Sequence, residues 1–136
     1  MWEYFKDLKD LESHRRQALN ECIEHMKVSP EQYVPCELPN SPFENDSFDL
    51  TLSAHFLFTY ADRLDYEFHL QTIKELLRVT RTEVRIFPLV DLNCNRYEQL
   101  NSLLFEIHKI GWKTEEKTVD YEFQRNANSM LRIYKD

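Results

Sequence analysis

At 136 residues, with 42% hydrophobic and 30% charged side chains, the chain has the composition of one folded domain with a sizeable core, not of a disordered segment. A formal net charge of −7 argues against a broad phosphate-tracking surface and so against nucleic acid as a partner. No apolar run approaches the roughly 20 residues that span a bilayer. The first residues lack the basic and apolar regions of a signal peptide, so a cytoplasmic location is expected. Three cysteines without CxxC spacing disfavour a disulfide framework or structural zinc, leave buried or incidental thiols as the expectation, and predict no metal site.

Residues 2–28 read as an amphipathic helix. Leu8 and Leu11, then Ala18, Leu19, Cys22, Ile23 and Met26 recur at helical spacing, opposite Glu12, Arg15, Arg16 and Glu24. Trp2, Tyr4 and Phe5 precede that stripe and can anchor it to a core or to another chain. Glu21 and His25, four residues apart, suit a surface pair. Ser29-Pro30 ends the helix, because the residue before a proline avoids the helical region. Residues 33–38 are extended but broken by Pro35, which suits an edge strand or incomplete pairing.

Turn-forming Asn40, Pro42, Asn45, Asp46 and Ser47 then lead into Phe48-Asp49-Leu50-Thr51-Leu52-Ser53-Ala54. Such a short apolar run is expected of a strand buried on both faces of a parallel sheet. A helix over residues 62–81 follows, capped by Asp62, with Leu70, Ile73, Leu76, Leu77 and Thr80 on one side and Arg78 and Arg81 at its negative end. Residues 83–90 predict a strand that Pro88 bends or ends. Residues 91–95 form a loop and 96–110 a second amphipathic helix, stopped by Gly111 as a left-handed cap. Residues 112–121 and 130–134 make a terminal antiparallel pair.

Strand, helix, strand is the grammar of open α/β sheets, whose ligands sit beyond the carboxyl ends of the strands. That end carries Ser53, Ala54, His55 and Phe56, and His55 is placed to act as a general base. His69 lies beside Asp65 and Glu67 in spacings that do not make a metal site. Phe56, Phe58 and Tyr60 are expected in the core.

The string Pro42-Phe43-Glu44-Asn45-Asp46-Ser47-Phe48-Asp49-Leu50, followed by Ser53-Ala54-His55-Phe56-Leu57-Phe58, resembles the post-adenine region of class I S-adenosylmethionine-dependent methyltransferases. There an LPF-x-D-x-SFD loop feeds the fourth strand. The helix ending Glu75-Leu76-Leu77-Arg78-Val79 and the strand after it follow the same order, so the likeness covers residues 33–136 of a single domain, 1–136, whose residues 1–30 are an N-terminal helix. The resemblance implies a partial, truncated Rossmann-like α/β fold: a mixed sheet with a C-terminal antiparallel strand pair and flanking helices. It also implies S-adenosylmethionine as cofactor, a small-molecule methyl acceptor, donor contacts from Glu37, Leu38, Ser53 and Phe56, and His55 as the catalytic residue.

The family's strand order is 3-2-1-4-5-7-6, with the donor held chiefly on loops after strands one and two. This chain matches from the helix before strand three onward, and its single glycine, Gly111, cannot supply the glycine-rich turn. Methyl transfer then requires a separate N-terminal half; the alternative is a non-catalytic interaction or dimerisation module. The exposed edge of strand 48–54 is expected to pair with that half or with a second copy in a homodimer.

Overall fold

The computed structural model describes residues 4–122 and 124–136, which divide into two compact units, Met1–Cys36 and Glu37–Asp136. In the first, α1 (Leu8–Val28) starts at Asp7, whose carboxylate accepts the Asp10 N–H at 2.8 Å. It stops at Ser29, and Pro30 opens a short 3₁₀ turn, Pro30–Gln32. The apolar stripe forms but is uncovered: no residue of α1 is buried, and Leu8, Leu19, Ile23 and Met26 are all exposed. Trp2 lies outside the described residues. His25 does not pair with Glu21. Its Nδ1 lies 2.7 Å from the Tyr33 hydroxyl, while Glu21 accepts the Gln17 side-chain amide at 3.1 Å. Cys22 and Cys36 are exposed free thiols, not buried ones.

Of the edge strand or incomplete pairing expected at residues 33–38, incomplete pairing is what forms. Pro35 has no N–H to donate, and the chain turns so that Glu37 bridges only to Asn40. The second unit is built instead on β1 (Phe48–Ala54), α2 (Tyr66–Arg78), β2 (Thr80–Phe87), α3 (Leu100–Lys109), β3 (Lys113–Thr118) and β4 (Ser129–Tyr134). The sheet order is β1-β2-β4-β3. β1 and β2 are parallel, joined through α2; β4 is antiparallel to both β2 and β3. This is an open mixed α/β sheet with flanking helices, as expected for a partial Rossmann-like fold.

Boundaries moved where local chemistry competed. Asp65, not Asp62, caps α2, its Oδ1 accepting the Phe68 N–H at 2.8 Å, because residues 58–63 close into tight turns before the helix begins. β2 starts at Thr80, taking Thr80 and Arg81 from the expected helix, and it ends just before Pro88. α3 is shorter than its apolar pattern, and Tyr97 packs from the segment before it. Gly111 closes α3 with φ +95°. The Trp112 N–H reaches the Ile107 carbonyl at 3.3 Å, a Schellman ending in which glycine meets no steric penalty.

The core lies on one face of the sheet. Val84 and Ile86 of β2 and Leu131 and Ile133 of β4 pack with Ile73 and Leu77 of α2 and Leu103 and Ile107 of α3. The register puts Leu50 beside Glu83, Leu52 beside Arg85 and Arg85 beside Arg132 on the other face. There Glu83 pairs with Arg85 and Arg132, and Glu115 with Arg132 and Lys117. β1 is therefore not buried on both faces. Among the described residues it has a single neighbour, β2, and Phe48, Leu50 and Leu52 are 39%, 44% and 67% exposed. Among the described residues, no helix is long and apolar enough to cross a membrane.

Candidate functional site

The segment that leads into β1 is fixed by α2. Arg78, in the last turn of that helix, donates to the Phe43 carbonyl (2.7 Å), the Asn45 side chain (2.8 Å) and both oxygens of Glu75 (2.6 and 2.9 Å). Glu75 in turn accepts the hydroxyl and N–H of Ser41 at 2.7 and 3.1 Å. The Arg78 guanidinium, helped by Ser41, holds the Glu75 carboxyl down at about 2. This clamp shapes the turn-rich loop and delivers Phe48 to the ladder, its N–H bonded to the Val79 carbonyl at 3.0 Å.

At the other end of β1 and β2, beyond their carboxyl termini, two loops meet. The β1–α2 loop carries His55 and Phe58 at φ 56° and 68°, a left-handed backbone that costs about 1–2 kcal/mol per non-glycine residue. The His55 N–H continues the ladder to the Phe87 carbonyl at 2.8 Å, and its ring meets the Phe87 ring edge-on at 5.6 Å. The β2–α3 loop turns on Asp91, whose Oδ1 accepts the N–H groups of Asn93 and Asn95 at 2.8 and 3.0 Å. Gln124 donates its side-chain amide to the Asp91 carbonyl at 2.7 Å.

Between these loops lies a cleft of about 700 Å³, walled by Ala61 and Asp62 on one side and by Asp91, Asn95 and residues 96–99 on the other. Its one cation, Arg96, forms a bidentate pair with Glu116 at 2.5 and 2.7 Å, which lowers the Glu116 carboxyl and raises the guanidinium. The other charged walls, Asp62, Asp91 and Glu98, are carboxylates, a setting that suits a hydroxylic or basic small molecule.

The expected site residues are distributed over this frame. Ser53 is half-buried in β1 and His55 follows its carboxyl end. Phe56 turns its ring inward, edge-on to Phe68 at 6.1 Å and against the core, so it joins Phe58 as packing. Glu37 is exposed and Leu38 half-buried in the turn upstream of the clamped loop. The sequence reading missed His69. It is fully buried, its Nδ1 lies 2.8 Å from the Asp65 carbonyl and its Nε2 accepts the Phe58 N–H at 3.0 Å. Its partners sit four and eleven residues away on opposite sides of a turn, so no motif announced it. Among the described residues, no group of three or more His, Cys, Asp or Glu side chains could hold a metal ion.

The residues at hand do not make a cradle for S-adenosylmethionine by themselves. Such a cradle needs backbone that a side chain would block, and the one glycine is used in ending α3. Phe56 is committed to packing, and among the described residues no strand lies beyond the β1 edge.

Among curated proteins the chain is 33% identical over 132 residues to an uncharacterized protein of Methanocaldococcus jannaschii. That match is archaeal and nearly complete on one side only. It takes in 97% of this chain but 57% of the relative, so the chain spans little more than half the length of the curated protein it matches. No family model matches the chain, and no solved structure matches it.

Proposed function

We propose that the chain is the C-terminal part of a class I S-adenosylmethionine-dependent methyltransferase sheet, able to transfer a methyl group only when a further segment supplies the strands beyond β1 and the glycine-rich turn. One observation carries this reading. The order β1-β2-β4-β3, with β4 alone reversed, is the order 4-5-7-6 of that fold with its strands 3-2-1 removed at the β1 edge. The archaeal relative, with over two-fifths of its length outside the match, is consistent with a larger protein of which this sheet is a part. In this reading the cleft between the β1–α2 and β2–α3 loops receives the acceptor.

The test is calorimetric. S-adenosylmethionine is titrated into the chain alone and into the chain mixed with the unmatched segment of the archaeal relative. The reading expects no binding by the chain alone and roughly micromolar binding, about −8 kcal/mol, by the mixture. A folded, associated mixture that ignores the donor would overturn it.

A second reading, a non-catalytic module that pairs through the same edge, is favoured by the position of the single glycine at the end of α3, away from any donor. In the absence of a completing segment, the edge of β1 pairs with a second copy. An antiparallel pair centred on Thr51 sets Leu50 opposite the second copy's Leu52 and Asp49 opposite its Ser53, with no like charges facing.

A further inference from the structure

His69 is fully buried and forms a cluster of three mutually touching rings with Phe58 and Tyr97, whose own centroids are 4.9 Å apart. The Phe58 ring stacks on it at 5.4 Å and 8°, and the Tyr97 ring at 4.7 Å and 28°. Because Nε2 accepts the Phe58 N–H, that nitrogen carries no proton, so the proton sits on Nδ1 and is donated to the Asp65 carbonyl. Both ring nitrogens are therefore used, and the neutral imidazole joins three segments: the β1–α2 loop through Phe58, the start of α2 through Asp65, and the segment before α3 through Tyr97.

The loop held in this way is strained. Phe58 has φ 68° and His55 φ 56°, conformations that persist only where the surroundings impose them. A second proton on the imidazole would set an Nε2–H against the Phe58 N–H, removing the acceptor and adding a buried charge. The strain would then favour release of the loop.

We propose that His69 is a protonation-controlled latch on the wall of the cleft: neutral, it holds the β1–α2 loop, with Ala61 and Asp62, against Tyr97; protonated, it lets that wall open. The titratable groups facing it are few. Asp65, on its own helix, has its Oδ1 engaged by the Phe68 N–H, and Tyr97, whose hydroxyl is kept protonated by burial, contributes no charge; Phe58 brings none. Burial also pushes the His69 imidazole below its ordinary value of 6.5, opposed by the hydrogen bond to the Asp65 carbonyl and by the Asp65 charge. The sign follows. An unfolded or opened chain takes up a proton as pH falls through about 6.5 while the closed form resists it, so the latch is closed above that value and weakens as pH falls below it. The inference does not depend on the methyltransferase reading.

Hydrogen exchange of backbone amides on the full chain, at pH values from about 7.5 down to about 5, tests it, with exchange corrected for its intrinsic pH dependence. The latch predicts that protection of the Phe58 amide falls about tenfold or more across this range while Val84 and Ile86 in β2 keep theirs. His69→Gln, whose side-chain oxygen can accept the same N–H without titrating, should show no such fall. Unchanged Phe58 protection in the native chain would overturn the proposal. So would loss of Phe58, Val84 and Ile86 protection together, which would make His69 a part of global stability only. Should the Gln variant not fold, the native titration alone decides.

Discussion

β3, at one edge of the sheet, runs Lys113-Thr114-Glu115-Glu116-Lys117-Thr118; β1, at the other, runs Phe48-Asp49-Leu50-Thr51-Leu52-Ser53-Ala54. Natural sheets protect a terminal strand with charge, especially lysine, so that it does not recruit a stranger. β3 follows that rule. β1 breaks it, with exposed Phe48, Leu50 and Leu52 and one acidic residue, Asp49, drawn into a pair with Arg81 at 2.9 Å. β3 is therefore composed as an edge strand, whereas β1 stands at an edge with the apolar composition of an interior strand.

A first contrast is with β2, which has partners on both sides. Ile86→Ala, at a fully buried site, should cost about 2–5 kcal/mol in denaturant unfolding. Leu52→Ala, two-thirds exposed, should stay within about 0.5 kcal/mol when the chain is dilute. A Leu52 cost as large as that of Ile86 would mean that β1 is already covered in the dilute chain.

Association separates the edges next. Leu50→Lys with Leu52→Lys should weaken self-association about tenfold or more by introducing charge onto the pairing strand, read by sedimentation equilibrium. Thr118→Lys on β3 should leave it unchanged. Equal effects at both edges would erase the distinction.

A smaller effect concerns how β1 is delivered to the sheet. The Glu75 carboxyl, held at about 2 by Arg78 and Ser41, contributes stability above its unfolded value of 4.5 and loses it as pH falls from there toward about 2. Glu75→Gln should therefore unfold at lower temperature than the native chain near pH 7, by an amount of order 1–2 kcal/mol. The gap should narrow across that acid window. A gap that is constant with pH would assign the loss to packing instead of charge.

Much of the fold was legible because its signals are local. Pro30 and Pro88 end their elements, Gly111 caps α3, and the alternation in β4 marks a strand whose Leu131 and Ile133 face inward. The misplaced parts depend on distance along the chain. Asp62 and Asp65 are equally good caps by residue type, and only the turns after Phe58 choose between them. The apolar run of β1 looks buried because composition cannot show that the strand takes an edge position beside β2. The place of His55 just past the end of β1 was legible from the sequence. The Glu75–Arg78 clamp reaches 33–37 residues back to Asn45 and Ser41, and His69 works through a turn. Neither leaves a mark in a short window of sequence.

Completion of the β1 edge by another strand is read by light scattering of the native chain over a rising concentration series, beside the Leu50→Lys, Leu52→Lys variant. The native chain should shift to twice its mass while the variant remains at the mass of one chain. A native chain that stays strictly monomeric at high concentration, and that takes up no completing segment of the archaeal relative, would contradict it.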